Sequence, residues 1–142
     1  MPNWCENEVT VVAKIYKVND VIVEPYPKDQ IKEFKEYVTV GKYEFSFEAI
    51  IPMPENVKDT TYTPLGQNPD PNWHDWSIEN WGTKWDPDDV QVVDEDEESI
   101  TYSFDTAWSP PEPICAALRD KFPDLNISWF YRESGMQIAG YL

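Results

Sequence analysis

Valine crowds residues 7–18 (Asn-Glu-Val-Thr-Val-Val-Ala-Lys-Ile-Tyr-Lys-Val), which with Thr10 and Ile15 gives the β-branched richness of a first strand. Val21-Ile22-Val23 either extends that strand or belongs to a loop before Pro25-Tyr26-Pro27. Ile31, Phe34 and Val38 then fall at helical spacing with Lys and Glu between them, which predicts a helix over 28–40 ended by Gly41. Phe45 to Ile51 alternates briefly and reads as a strand halted by Pro52-Met53-Pro54. From Pro54 to about Ser77 there is little periodicity and much Pro, Asn, Asp and Thr, so a long loop is expected, with a helical turn or tight loop over Ser77 to Trp85.

Val90 to Val93 and Ser99 to Phe104 flank the acidic tip Asp94 to Glu98 and predict a hairpin. Ile100, Tyr102 and Phe104 share one face of its second strand, with Thr101, Ser103 and Asp105 on the other. Ser109-Pro110-Pro111-Glu112 has the form of a helix start with Ser109 as cap, and Ile114, Ala117, Leu118 and Phe122 supply a buried stripe up to Pro123. Ile127 to Tyr131 and Met136 to Tyr141 make a last hairpin around Ser134-Gly135. The order strand, helix, strand, long loop, hairpin, helix, hairpin predicts an α+β fold. The expected form is a ferredoxin-like antiparallel sheet with two helices on one face, a single domain over 1–142 with an irregular insertion at about 54–80.

Charge narrows the function classes. The formal net charge is −16 with only 11 basic residues, a field that repels phosphates and anionic membranes and argues against direct nucleic-acid binding. No stretch approaches the roughly 20 apolar residues of a membrane span, and no basic-then-apolar leader is seen, so a cytoplasmic protein is expected. The two cysteines, Cys5 and Cys115, are far apart and read as core thiols. A single histidine, His74, leaves no cluster for zinc; no metal and no cofactor is expected.

Candidate chemistry concentrates in two aromatic-polar segments, Asn80 to Asp86 and Phe104 to Ser109. Trp81, Lys84, Trp85 and Trp108 could wall a cleft, with Lys84 as cation and Asp105 and Thr83 as orienting groups; alternatively the rings fill the open side of a small sheet. Trp73-His74-Asp75-Trp76 is a second cluster, either a lid of Trp73, His74 and Trp76 over that cleft or, through the neighbours His74 and Asp75, a hint of acid-base work. Asp94, Glu95, Asp96, Glu97 and Glu98 form either a solvated turn or an acidic partner face. From Glu79 to Asp105 there are ten acids against one base, Lys84.

The opening Met1-Pro2-Asn3-Trp4-Cys5-x-Asn7, the Ile50-Ile51-Pro52-Met53-Pro54 stop, Asn80-Trp81-Gly82-Thr83-Lys84-Trp85-Asp86 and Phe104-Asp105-Thr106-Ala107-Trp108-Ser109-Pro110-Pro111 resemble, in order, the YubB/Api-type ferredoxin-like proteins of plasmids, genomic islands and phages. The resemblance covers nearly the whole chain and implies a fold and a mobile-element origin, without an established activity. A role in blunting host defence follows from the resemblance alone.

Three function classes are weighed. The first is a non-catalytic binding protein holding a small aromatic or nucleotide-like ligand, or a partner's side chains, in a tryptophan-lined cleft. The second is an acidic inhibitor that imitates DNA toward a host nucleic-acid-binding protein. The third is a small hydrolase using His74 and Asp105. The partner is thus a small molecule or a host protein, and the oligomeric state is open.

Overall fold

The computed structural model describes residues 2–14, 17–22 and 29–142. Strand β1 (Trp4–Ala13) alternates cleanly, with Cys5, Asn7, Val9, Val11 and Ala13 buried and Glu6 and Glu8 exposed. It starts before the expected residue 7 because Trp4 already pairs with Ala107 across the sheet. It stops at Ala13; Lys17–Val18 (β2) and Val21–Ile22 (β3) form a separate two-stranded pair. Val23 and Pro25 to Pro27 lie outside the described residues.

Helix α1 (Gln30–Val38) buries Ile31, Phe34 and Val38 as the spacing predicts. Thr39 rather than Gly41 ends it. Thr39 turns extended and donates its hydroxyl to the Lys35 carbonyl at 2.6 Å, while Gly41 supplies a positive φ of 56° in the tight turn that brings Val40 back to Tyr43.

The strand expected over Phe45 to Ile51 does not form. Phe47–Ile50 is a helical turn, α2, whose first amide donates to Asp86 Oδ1 at 2.7 Å. Phe45, Ser46, Phe47 and Ile50 are all buried, which strand alternation would forbid. A carboxylate far along the chain satisfies an orphan donor of the turn and overrides the short alternating pattern.

The insertion is less irregular than its composition suggests. It contains α3 (Glu55–Lys58) and α4 (Trp73–Asn80), leaving residues 60–72 without helix or strand. Asn72 caps α4, accepting the Asp75 amide at 2.9 Å, and the Trp73 amide donates to Thr60 Oγ1 at 2.8 Å. These bonds tie both ends of the loop.

Strands β4 (Asp88–Glu95) and β5 (Ser99–Ala107) make the expected hairpin, with register shifts in β4 between Asp88 and Gln91 and between Val92 and Asp94. Helix α5 (Glu112–Lys121) follows. Ser109 is not its cap: its Oγ donates to the Gly82 carbonyl at 2.7 Å, and Pro111 stands at the helix boundary. Strands β6 (Leu125–Glu133) and β7 (Ile138–Tyr141) complete an antiparallel five-stranded sheet in the order β4-β5-β1-β6-β7.

The helices cover one face only. Ile31, Phe34, Val38, Ile114, Cys115 and Leu118 join Val9, Val11, Tyr102, Phe104 and Trp129 in one buried cluster, with α2 and Trp81 included. The opposite face carries Glu6, Glu8 and Thr10 of β1, Thr101, Ser103 and Asp105 of β5, and Ser128, Phe130 and Arg132 of β6; no helix packs on it among the described residues.

Candidate functional site

The expected tryptophan cleft separates into three parts. Trp81 is 4% exposed, packs on Phe47 and Trp76, and donates its indole N–H to the Ile51 carbonyl at 2.8 Å. Thr83 is fully buried and donates to the Ala107 carbonyl at 2.8 Å. Both are structural. Gly82, at φ 81°, closely approaches the start of helix α5: a Cβ there would stand 2.7 Å from Pro113 Cδ. Together with Asp86 on α2, the Asn80 to Asp86 segment is a clasp that joins α4, α2, the end of β5 and the start of α5.

Trp85 and Trp108 are exposed, at 40% and 49%. Lys84 Nζ lies 4.5 Å over the Trp85 ring, which in turn meets Trp4 at 6.3 Å. Trp108 sits at φ 69°, an uncommon conformation for a bulky residue, held by its amide donating to the Asn3 carbonyl at 2.9 Å. None of the recesses of about 960, 410, 240 and 280 Å³ takes a wall from Trp81, Trp85 or Trp108. Of the three rings Trp81 lies in the core, while Trp85 and Trp108 reach the surface.

The expected lid is part of the packing. Trp76 meets Trp81 edge-on at 5.4 Å; His74 stacks flat on Tyr62 at 3.8 Å, and Trp73 packs edge-on to both. His74 Nδ1 is 3.1 Å from Asp75 Oδ1, and Asn72 and His74 hold the Asp75 carboxyl below its usual range. Asp105, its supposed partner in hydrolysis, is on the open sheet face among Glu6, Asp88 and Asp89. His74 and Asp105 thus serve different surroundings.

The acidic tip is also partly committed. Glu95 pairs with Lys35 at 2.9 Å, and Asp96 Oδ1 accepts the amides of Glu98 and Ser99 at 2.7 and 2.9 Å, closing the turn. The two thiols are buried and free, and burial pushes Cys5 up to about 11 and raises Cys115, which makes both poor nucleophiles.

What the structure does assemble is the open sheet face. Its register lines up Asp88, Asp105, Glu6 and Arg132 across β4, β5, β1 and β6, and beside them Gln91, Ser103, Glu8, Phe130 and Tyr141, the last on β7. A recess of about 410 Å³ is lined by Glu6, Glu8, Asp89, Ser103, Asp105, Phe130 and Arg132. Burial first, then Glu6, Asp89 and Asp88, raise the Asp105 carboxyl above its usual range. The single cation in this row, Arg132, donates Nε to Glu6 Oε2 at 2.8 Å, leaving Glu8, Asp88, Asp89 and Asp105 without an ion pair among the described residues. No three acidic, His or Cys side chains among the described residues come together as a metal site. The negative charge is spread over strands, a form suited to a partner with several cations.

Glu6 and Glu8 alternate with buried Cys5, Asn7 and Val9, so their side of β1 was readable; their alignment with Asp105, Asp88 and Asp89 required the strand order. Arg132 and Glu133, neighbours on β6, divide between the two faces: Glu133 is buried and accepts the Gly135 and Met136 amides at 2.9 and 2.6 Å.

Among the described residues no helix is long and apolar enough to cross a membrane. Residues 80–142, which hold β4, β5, α5, β6 and β7, match the family model described as the ferredoxin-like domain in Api92-like protein. No curated protein and no solved structure matches the chain.

Proposed function

We propose that this chain, with the ferredoxin-like domain of Api92-like proteins over its residues 80–142, is a non-catalytic binding protein whose uncovered sheet face engages a basic partner protein. The observation that carries the reading is the row of carboxylates Glu8, Asp88, Asp89 and Asp105, without an ion pair among the described residues and held on paired strands. A partner with Lys and Arg spaced to meet phosphates would meet these carboxylates instead, so the protein acts as a charge mimic toward a nucleic-acid-binding surface. Trp85, beside Trp4 and Lys84, would add an aromatic contact for a partner side chain at one end of the face. A small-molecule cleft and a His74–Asp105 hydrolase are disfavoured, since their residues face different surroundings.

The test compares two triple charge reversals of equal net charge. One carries Asp88→Lys, Asp89→Lys and Asp105→Lys; the other carries Glu33→Lys, Glu36→Lys and Asp120→Lys on the helices. Calorimetry against an oligo-arginine nonapeptide should show at least tenfold weaker binding for the first and little change for the second. Wild-type binding should weaken sharply between low and moderate salt. Equal losses in both triples would mean that overall charge alone attracts the peptide, and would overturn the reading.

A further inference from the structure

At the β7 side of the open face, Glu8, Thr10, Ser128, Phe130 and Tyr141 line a recess of about 240 Å³. The rings of Phe130 and Tyr141 stand 5.2 Å apart at 56°, and Tyr141 is 74% exposed. Glu6, one pleat away, has Arg132; Glu8 has no ion pair among the described residues. An unpaired carboxylate beside two ring surfaces and two hydroxyls is a setting for a cation, and one that repels an anion.

Shape separates the two natural cations. A guanidinium is planar: it can lie against a ring while its edge donates in parallel to a carboxylate and to a hydroxyl. An ammonium is a compact, strongly hydrated point charge that gains less from ring surfaces of this kind. The recess is below the range of about 300–1,000 Å³ usual for small-molecule sites and matches one side chain.

The neighbouring edge supports the same occupant. The Leu142 amide donates to the Trp129 carbonyl at 3.0 Å. By antiparallel alternation Gly140 and Ile138 then bond to Tyr131 and Glu133, so the N–H and C=O groups of Ala139 and Tyr141 point outward from β7. This edge, Ile138-Ala139-Gly140-Tyr141, holds no charge, proline or register shift. The opposite edge, β4, has two shifts and several acids that discourage pairing. A second copy of a chain at −16 would meet its own charge here, whereas a basic segment would not.

We infer that β7 pairs with an extended segment of the basic partner and that the Glu8–Phe130–Tyr141 recess receives an arginine side chain of that segment. The inference rests on the acidic-face reading above, and adds the residue type and the mode of docking.

The experiment uses the full chain and two peptides, acetyl-(Arg-Thr)₄-amide and acetyl-(Lys-Thr)₄-amide, with dissociation constants from calorimetry and amide shifts from NMR. Wild type should prefer the arginine peptide by about tenfold, a typical size for a cation–π plus bidentate contact. Tyr141→Ala and Glu8→Gln should erase the preference, Tyr141→Phe should keep it, and the Ala139 and Tyr141 amides should shift on binding. If both peptides bind equally in wild type and in the recess variants, while Asp88→Asn with Asp105→Asn weakens both, the acidic face stands and the arginine recess is overturned. If the preference depends on Tyr141 and Glu8 but ignores Asp88 and Asp105, the recess stands and the broader face reading falls. Binding of neither peptide would overturn both.

Discussion

The two faces of the sheet are made by the same strands and obey opposite rules. On the covered face buried polar groups are paired through specific bonds, Asn7 above all: 2% exposed, it donates to Thr106 Oγ1 at 2.9 Å and to the Cys5 carbonyl at 3.0 Å, while its Oδ1 accepts the Trp129 indole N–H at 3.0 Å. On the open face, one residue further along each strand, Glu8, Asp88, Asp89 and Asp105 have no ion pair among the described residues. Glu8, Asp88 and Asp89 are exposed, so folding does not require their neutralisation, and only Asp105 is partly withdrawn from solvent. A buried polar residue here is therefore evidence about stability. The arranged charge outside is where evidence about function lies.

Asn7→Ala gives the largest effect that distinguishes the faces. It strands the Trp129 N–H in the core and should cost about 2–3 kcal/mol in a urea melt. A loss under about 0.5 kcal/mol would show that the covered face tolerates unpaired polar groups, and would weaken the contrast.

Tyr102 is the exception that sharpens it, since its buried hydroxyl has no partner among the described residues. Tyr102→Phe should raise stability by about 1 kcal/mol, because the substitution removes a desolvated group without removing a bond. A destabilised variant would reveal a bond that the hydroxyl makes in solution.

Asp105→Asn should produce the smallest change, a gain of about 0.5 kcal/mol or less at neutral pH. Its folded carboxyl is raised, chiefly by burial and then by Glu6, Asp89 and Asp88, so ionisation disfavours the native state. As pH falls through that raised value, protonation favours the native state and wild type recovers. The gap between variant and wild type should therefore close as the ordinary carboxylate range, about pH 4, is approached. Thermal melts from pH 4 to 8 check the sign; a gap that widens toward acid would contradict it.

The strands were legible because alternation is local: Cys5, Asn7, Val9 and Val11 against Glu6, Glu8 and Thr10 state both faces of β1 at once. Helix α1 was legible from Ile31, Phe34 and Val38 for the same kind of reason. Phe45 to Ile51 misled because its alternation is short, and Asp86, 39 residues from Phe47, decides its conformation. The Trp-rich motif misled in another way. Trp81 and Thr83 carry bonds to Ile51 and Ala107, so this part of its distinctive composition reflects a clasp between elements. Asp105 was picked out correctly as a polar-face residue and given the wrong neighbours, since those come from Glu6 on β1 and Asp88 on β4.

The chain by itself determined its periodicities, its net charge of −16, its two helical stripes and the acidic hairpin, all properties that depend on near neighbours. Only the tertiary structure decided that β1 lies between β5 and β6, which places carboxylates from three strands in one row and rings from β6 and β7 beside Glu8. The physical reason is distance along the chain: strand pairing joins residues about a hundred positions apart, and no local pattern of side chains records which strands will meet.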